Sequence, residues 1–164
     1  MSPWNQGRMT IEALLADGAL ERVPPDTDGA QALLDRAWTH LRSAETLAES
    51  DVELAYDALH AANRKALTAL LLTQGLRPTR QGGHLSVYEA VRAQLHPPLG
   101  SVLAPYQRIR RARNAADYLD GLSASPDDVR ADLPSCRAIV DVAAKMLGQM
   151  SVFRTEPQSW ELEG

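Results

Sequence analysis

Apolar side chains recur every three or four residues along much of the chain, a spacing that puts them on one face of an α-helix. The pattern is clearest over residues 29–49, where apolar side chains occupy positions 33, 34, 37, 38, 41, 44, 47 and 48. It resumes over residues 52–74, between Asp51, a helix-capping residue type, and Gly75, a residue type that ends helices. Since no segment alternates apolar and polar residues over a useful length, no β-strand is predicted.

Turn-forming residues divide the rest of the chain into shorter helices and loops. Thr10 is expected to cap a short helix over residues 11–16, ahead of a linker over residues 23–28. The other predicted elements are a loop over residues 76–83, a helix from His84 or Ser86 to about Leu95, a helix from about Pro105 to about Asp120, and a helix that Ser125 caps and that runs to about Met150.

These elements predict an all-α fold, an up-and-down bundle of four to five helices with a short N-terminal helix, because short loops favour antiparallel neighbours. The predicted organisation is an N-terminal extension over residues 1–28, the bundle over residues 29–150 and a flexible C-terminal tail over residues 151–164. The composition agrees with this fold, since 45% of the 164 residues are hydrophobic but only 5% are aromatic. Most of the apolar residues are Ala and Leu, which favour helices.

The net charge is −4, so the chain as a whole does not attract nucleic acid, and any such binding has to come from a local basic patch. No signal peptide is recognised, and the longest apolar run, residues 66–72, is too short to span a bilayer. We therefore expect a cytoplasmic protein without a membrane segment. The single cysteine, Cys136, is expected in the core, and neither a metal site nor a cofactor is predicted.

The helix predicted from Pro105 is rich in arginine. With Arg113 at zero and about 100° added per residue, one arc is apolar and predicts the side that faces the core. That arc holds Ile109, Ala112, Ala115, Ala116 and Leu119, with Arg108 at its edge. The opposite arc holds Arg110, Arg111, Arg113, Asn114, Asp117 and Tyr118.

Two interpretations of this polar arc stay open. Guanidinium groups bind phosphate through paired hydrogen bonds, so the arc is a candidate phosphate site. The alternative is a solvated helix face in which Asp117 pairs with Arg113 four residues earlier.

The second long helix carries a further polar series at three-and-four spacing, formed by Tyr56, His60, Asn63 and Arg64. These side chains either face the arginine-rich helix or form a solvent-exposed stripe.

The loop after that helix holds two more arginines, Arg77 and Arg80, which can extend a basic patch toward His84. His84 follows Gly82-Gly83, and it is either a proton carrier or a helix cap at a flexible turn.

The run Arg113-Asn114-Ala115-Ala116-Asp117-Tyr118 resembles the signature of HEPN domains, small α-helical domains in which an Arg-Asn pair precedes a catalytic His. In the signature, the His stands five residues after the Arg. The segment 55–66 resembles the first long core helix of bacterial members. The segment 71–84, with Gln74-Gly75-Leu76-Arg77 and Gly82-Gly83-His84, resembles the following loop of an actinobacterial branch. The resemblance covers roughly residues 30–150.

The resemblance implies a four- or five-helix bundle that forms a homodimer, with the signature faces of two protomers in one cleft. It implies RNA or a nucleotide as ligand, a role in toxin–antitoxin or defence systems, and an antitoxin partner such as a nucleotidyltransferase. In members that cut RNA without a metal, the Arg and the His act at the 2′-hydroxyl and the scissile phosphate. Carried over to this chain, Arg113 takes the Arg position, Asn114 the polar position and Tyr118 the His position.

Tyr118 is a departure from the signature. An imidazole titrates near neutral pH, whereas a phenol with a pKa near 10 is a poor base but still donates hydrogen bonds and stacks. This difference favours binding over catalysis.

The leading hypothesis is therefore an RNA- or nucleotide-binding domain. Its phosphate contacts are predicted to come from Arg64, Arg77, Arg108, Arg110, Arg111, Arg113 and Asn114. One alternative is a metal-independent endoribonuclease that uses Arg113, Asn114 and Tyr118 with help from His84. Another is a structural protein-interaction bundle whose arginines form salt bridges.

Overall fold

A computed structural model of the chain describes residues 4–116 and 124–154. Its helices are α1 (Arg8–Ala16), α2 (Thr27–Leu47), α3 (Val52–Thr73), α4 (Gly83–Leu95), α5 (Gly100–Leu103), α6 (Pro105–Ala116) and α7 (Pro126–Met146). Two short strands, β1 (Leu20–Arg22) and β2 (Leu76–Pro78), form an antiparallel pair. The predicted all-α helical bundle is confirmed. None of the described helices is long and apolar enough to cross a membrane.

The central element of the bundle is α3, which packs against α2, α4, α6 and α7. Its leucines at positions 59, 67, 70 and 71 are fully buried, as are several of its alanines. Small alanines let neighbouring helices approach closely, and the leucines fill the space between them. Residues on different sides of α3 therefore reach different helices.

The predicted bounds of α3 are confirmed because residues at both ends fix them. The Asp51 carboxylate accepts a hydrogen bond from the Leu54 amide at 3.0 Å, which caps the first turn. At the other end, Gly75 has φ of 78°, a left-handed conformation that ends the helix.

Two helices begin earlier than predicted. The helix α1 starts at Arg8 after Gly7, so the prediction that Thr10 caps it is wrong. The helix α2 starts at Thr27 because Asp26, which was predicted to lie in the linker, accepts a hydrogen bond from the Gly29 amide at 2.8 Å.

The strand pair was not predicted. It pairs Leu20 with Pro78, Glu21 with Arg77 and Arg22 with Leu76, so part of the predicted loop is strand β2. Strands of three residues are too short to show an alternating pattern, and cross-strand contacts stabilise them instead.

The last helix, α7, ends at Met146 rather than at the predicted Met150. Gly148 has φ of 84° and ends the helix, and the chain then turns back toward the bundle. Phe153 is buried, and the guanidiniums of Arg8 and Arg22 lie 5.3 and 5.4 Å from the centre of its ring. The first residues of the predicted tail thus pack on the bundle, while residues 155–164 lie outside the described residues. The division of the chain into domains stays a prediction.

Candidate functional site

The inward side of α6 differs from the one predicted. Tyr106 and Ile109 are fully buried, and Ala112 is partly buried. Arg113 follows Tyr106 by seven residues and Ile109 by four, which places it within about 40° of both around the helix. The prediction that Arg113 lies opposite the core is therefore wrong, because the predicted core arc left out Tyr106.

Arg113 faces α3, where its Nε donates a hydrogen bond to Asp57 Oδ1 at 3.1 Å. The Arg113 side chain is 35% exposed and the Asp57 side chain 45% exposed. The predicted partner, Asp117, lies outside the described residues. An anion that binds Arg113 at this side therefore competes with the Asp57 carboxylate.

Arg108 also forms a salt bridge within the bundle. It forms a salt bridge with Asp132 of α7, and the other oxygen of this carboxylate accepts a hydrogen bond from the Tyr56 hydroxyl at 2.7 Å. This bond to Asp132 raises the pKa of Arg108. Burial and then the bond to Asp132 raise the pKa of Tyr56. The network ties α3, α6 and α7 together, so Arg108 has a structural role in addition to any phosphate contact.

The polar series on α3 is not a solvent-exposed stripe. Tyr56, His60 and Asn63 are buried. The His60 ring lies 5.6 Å from the ring of Tyr106 on α6. The Asn63 amide donates to the Cys136 sulfur at 3.4 Å. The His60 contact reaches α6, as expected if this series faces the arginine-rich helix. The Asn63 contact reaches α7 instead.

Cys136 lies in the core, as predicted, and it is fully buried. Burial raises the pKa of its thiol to about 12. A thiol in this environment stays protonated at neutral pH and is a poor nucleophile.

Three of the predicted phosphate-binding side chains on α6 are at least partly exposed to solvent. Arg111 is exposed, and Arg110 and Asn114 are half-buried. Within residues 4–116 and 124–154, neither Arg110 nor Arg111 has a carboxylate within salt-bridge distance. Among these residues, no carboxylate neutralises their charges.

Arg64 of α3 lies close to α6. Burial raises the pKa of the Tyr106 hydroxyl, and the charges of Arg64 and then Arg110 partly oppose that rise. Positive charge from α3 and from α6 therefore acts on the same hydroxyl.

Arg64 and further cations of α2 and α3 act on the same titratable groups. Burial, followed by the charges of Lys65, Arg36 and Arg64, lowers the pKa of His40. Burial, followed by the charges of Arg64 and Arg36, lowers the pKa of Lys65. The sequence did not predict this set of cations, although the spacing of Arg36 and Lys65 from the turn between α2 and α3 indicates it. In a helical hairpin, residues equally far from the turn lie side by side, and Arg36 and Lys65 are nearly equidistant from the turn before Asp51.

The two loop arginines differ in their surroundings. Arg77 is exposed on β2 and pairs with its cross-strand neighbour Glu21, with Nε 2.8 Å from the carboxylate. It is not among the described residues that line the groove beside Arg64. Arg80 lines a groove together with Arg64.

The two remaining predicted residues are described only in part or not at all. His84 is the second residue of α4, and its side chain lies outside the described part of the structure. Tyr118 lies outside the described residues.

Metal ligands are not gathered in the described part of the chain, which contains no group of three or more His, Cys, Asp or Glu side chains arranged to hold an ion. A further groove, of about 490 Å³, lies between α1, α4 and α6 and is lined by Tyr88, Glu89, Arg92 and Gln107 among others. None of the predicted site residues is among the described residues that line it.

Comparison with known proteins identifies the family. No curated protein and no solved structure matches the chain at a significant level. The family model of the HEPN domain matches residues 30–147, which is most of the 164-residue chain and extends from the first turn of α2 to the end of α7. The chain therefore belongs to the HEPN domain family.

Proposed function

We propose that this HEPN-family chain binds RNA or a nucleotide through a basic surface on α6. We call this the α6 surface and define it as Arg110, Arg111, Arg113 and Asn114, with Tyr118 as a further candidate. The observation that supports it most is that Arg110 and Arg111 have no salt bridge among the described residues although the chain is acidic overall. Guanidinium groups left without a carboxylate on an acidic protein are suited to bind phosphate.

The biological setting follows from the family resemblance. We propose a role in a toxin–antitoxin or defence system, with a nucleotidyltransferase as a candidate antitoxin partner. In the proposed assembly, two copies of the chain form a homodimer and their α6 surfaces face one cleft.

An endoribonuclease is the second candidate. It would use Arg113 and Asn114 at the scissile phosphate, with Tyr118 or His84 moving protons. The Arg113–Asp57 salt bridge weighs against it, because a catalytic guanidinium has to exchange this carboxylate for the phosphate. The bridge between Arg108 and Asp132 is the kind of contact that the third candidate, a structural interaction bundle, requires.

The proposal is tested by RNA binding and RNA integrity in the same experiment. The purified chain is mixed with total RNA and tRNA in EDTA at two salt concentrations, beside the double variant Arg110→Gln/Arg111→Gln. Arg92→Gln is the control, because it removes an exposed arginine from another groove. We expect salt-sensitive binding of intact RNA that the double variant loses and the control keeps.

Other outcomes select other candidates. Cleavage that disappears in Arg113→Ala favours the endoribonuclease. Absence of both binding and cleavage, with Arg113→Ala only lowering the melting temperature, favours the structural bundle. Light scattering tests the dimer, and a strict monomer would contradict the shared cleft.

A further inference from the structure

A groove beside Arg64 is distinct from the α6 surface. It has a volume of about 350 Å³ and is lined by Arg64, Pro78, Thr79, Arg80, Gly83 and Val87. The lining therefore comes from α3, from the last residue of β2 and the connection that follows it, and from the first turns of α4. Ligand pockets measure about 300–1,000 Å³, so this groove has room for a small group such as a phosphate.

The fold holds this groove open in a defined shape. The Thr79 hydroxyl donates to the Gly18 carbonyl at 2.6 Å and accepts from the Gly82 amide at 3.2 Å. The Thr79 amide donates to the Ala19 carbonyl at 3.0 Å. These bonds fix the backbone on both sides of Arg80, so its side chain starts from a backbone that is held in place.

The charged side chains that line the groove have the same sign. Among the described residues, the lining contains two guanidiniums and no carboxylate. The charges of Lys65, Arg36 and Arg64 all act on the His40 imidazole. Among the described residues, Arg64 and Arg80 have no salt-bridge partner. Positive charges gathered without a carboxylate repel one another, and an anion relieves that repulsion.

We propose that this groove, which we call the Arg64–Arg80 groove, is a second anion site that binds a phosphate group between the two guanidiniums. This inference rests on the proposed function and deepens it, because the charges of Arg64 and of Arg110 on the α6 surface both act on the Tyr106 hydroxyl. A ligand with several phosphates can occupy both places, whereas a single phosphate occupies the groove alone.

The groove is tested first with ligands that carry one phosphate group, inorganic phosphate and adenosine 5′-monophosphate. His40 serves as the reporter, since it senses the charge of Arg64, and its NMR signal is assigned with His40→Gln. We expect either ligand to raise the pKa of His40 in the parent chain and in Arg92→Gln. We expect no such rise in Arg64→Gln or Arg80→Gln. Melting temperatures verify that each variant is folded.

The second arm uses a labelled single-stranded RNA of about 12 nucleotides, a length within the range of sites that bind single strands. Arg64→Gln and Arg80→Gln are each expected to weaken RNA binding about tenfold, the effect of losing one charged hydrogen bond. Each should also reduce the slope of log affinity against log salt by about 0.7. Arg92→Gln should bind as the parent chain does.

The outcomes separate the groove from the proposed function. A phosphate effect on His40 that depends on Arg64 and Arg80 supports the groove even if RNA does not bind. Lack of a phosphate effect, together with RNA binding that needs Arg110 and Arg111 but not Arg64 and Arg80, overturns the groove and keeps the proposed function. Lack of any effect of phosphate, nucleotide or RNA overturns both.

Discussion

Asp132 connects three helices through one carboxylate. Its two oxygens accept from the Tyr56 hydroxyl of α3 and from Arg108 of α6, while Asp132 itself belongs to α7 and is 8% exposed. Removing the carboxylate leaves a buried hydroxyl without an acceptor and a guanidinium without its partner. A buried polar group that loses its partner costs far more than an exposed one.

We expect Asp132→Ala to lower the free energy of unfolding by about 2–3 kcal/mol. Tyr56→Phe, which removes only the hydroxyl, should cost about 1 kcal/mol. Urea unfolding measures both. Asp141→Ala, at an exposed position on the same helix, is the control and should change stability by less than about 0.5 kcal/mol. Equal stability of Asp132→Ala and Asp141→Ala would contradict the structural role of this network.

His40 makes the stability of the chain depend on pH. Burial and the charges of Lys65, Arg36 and Arg64 lower its pKa in the folded state, while in the unfolded chain it titrates near 6.5. As the pH falls through about 6.5, the unfolded chain takes up a proton that the folded chain still refuses, so stability decreases.

We expect His40→Gln to lose less stability than the parent chain between pH 7.5 and pH 5.5. Urea unfolding at the two pH values measures the difference. His96→Gln removes an exposed histidine and is the matched control. If His40→Gln and His96→Gln change the pH dependence equally, His40 is not the group responsible.

At the scale of single elements, the helix caps fix where the long helices begin. The Asp26 carboxylate caps α2, and Asp51 caps α3 in the same way. Asp28 lies in the first turn of α2 and also carries a negative charge, but the structure gives it no cap hydrogen bond. Comparing Asp26 with Asp28 therefore separates the cap from the general attraction between an acid and a helix N-terminus.

Asp26→Ala is expected to lower the free energy of unfolding by about 1 kcal/mol. Asp28→Ala should cost only a few tenths of a kcal/mol. Thermal and urea unfolding give both values. The cap assignment fails if Asp28→Ala is the more harmful of the two.

The sequence predicted elements well where a local signal marks their ends. Asp51 and Gly75 give the bounds of α3 because capping and left-handed glycine are properties of neighbouring residues. The strands β1 and β2 escaped prediction because each is stabilised by a partner more than 50 residues away in the chain. The end of α7 was placed too late because Gly148 was not recognised as the end of that helix.

The sequence predicted which types of residue the candidate site contains, but not which of them pair with one another. The concentration of arginine on α6 is visible in the sequence, and so is the resemblance of its signature to the HEPN family. Which arginine pairs with which carboxylate depends on how helices cross, and the pairing of Arg113 with Asp57 or of Arg108 with Asp132 has no local signal. The side of α6 that faces the core did have a local signal in the sequence, because the buried Tyr106 lies two turns before Arg113.

For the whole molecule, the distribution of charge matters more than the net value of −4. Glu21 and Asp57 neutralise Arg77 and Arg113. Among the described residues, Arg36, Arg64, Lys65 and Arg80 form no salt bridge. An acidic chain whose positive charge is concentrated locally repels polyanions in most orientations and accepts them in few. Such an arrangement favours selective over general binding of nucleic acid.

The central position of α3 also has a consequence for the order in which the chain folds. The helices α2 and α3 adjoin in sequence across a short turn, so their contacts close a small loop, whereas α7 has to return to α3 over more than 50 residues. We expect the α2–α3 hairpin to be formed in the transition state and α7 to dock after it. In stopped-flow experiments, Leu41→Ala on α2 should mainly slow folding, and Ile139→Val on α7 should mainly speed unfolding. The reverse pattern would mean that α7 contacts α3 in the transition state and that the α2–α3 hairpin forms afterwards.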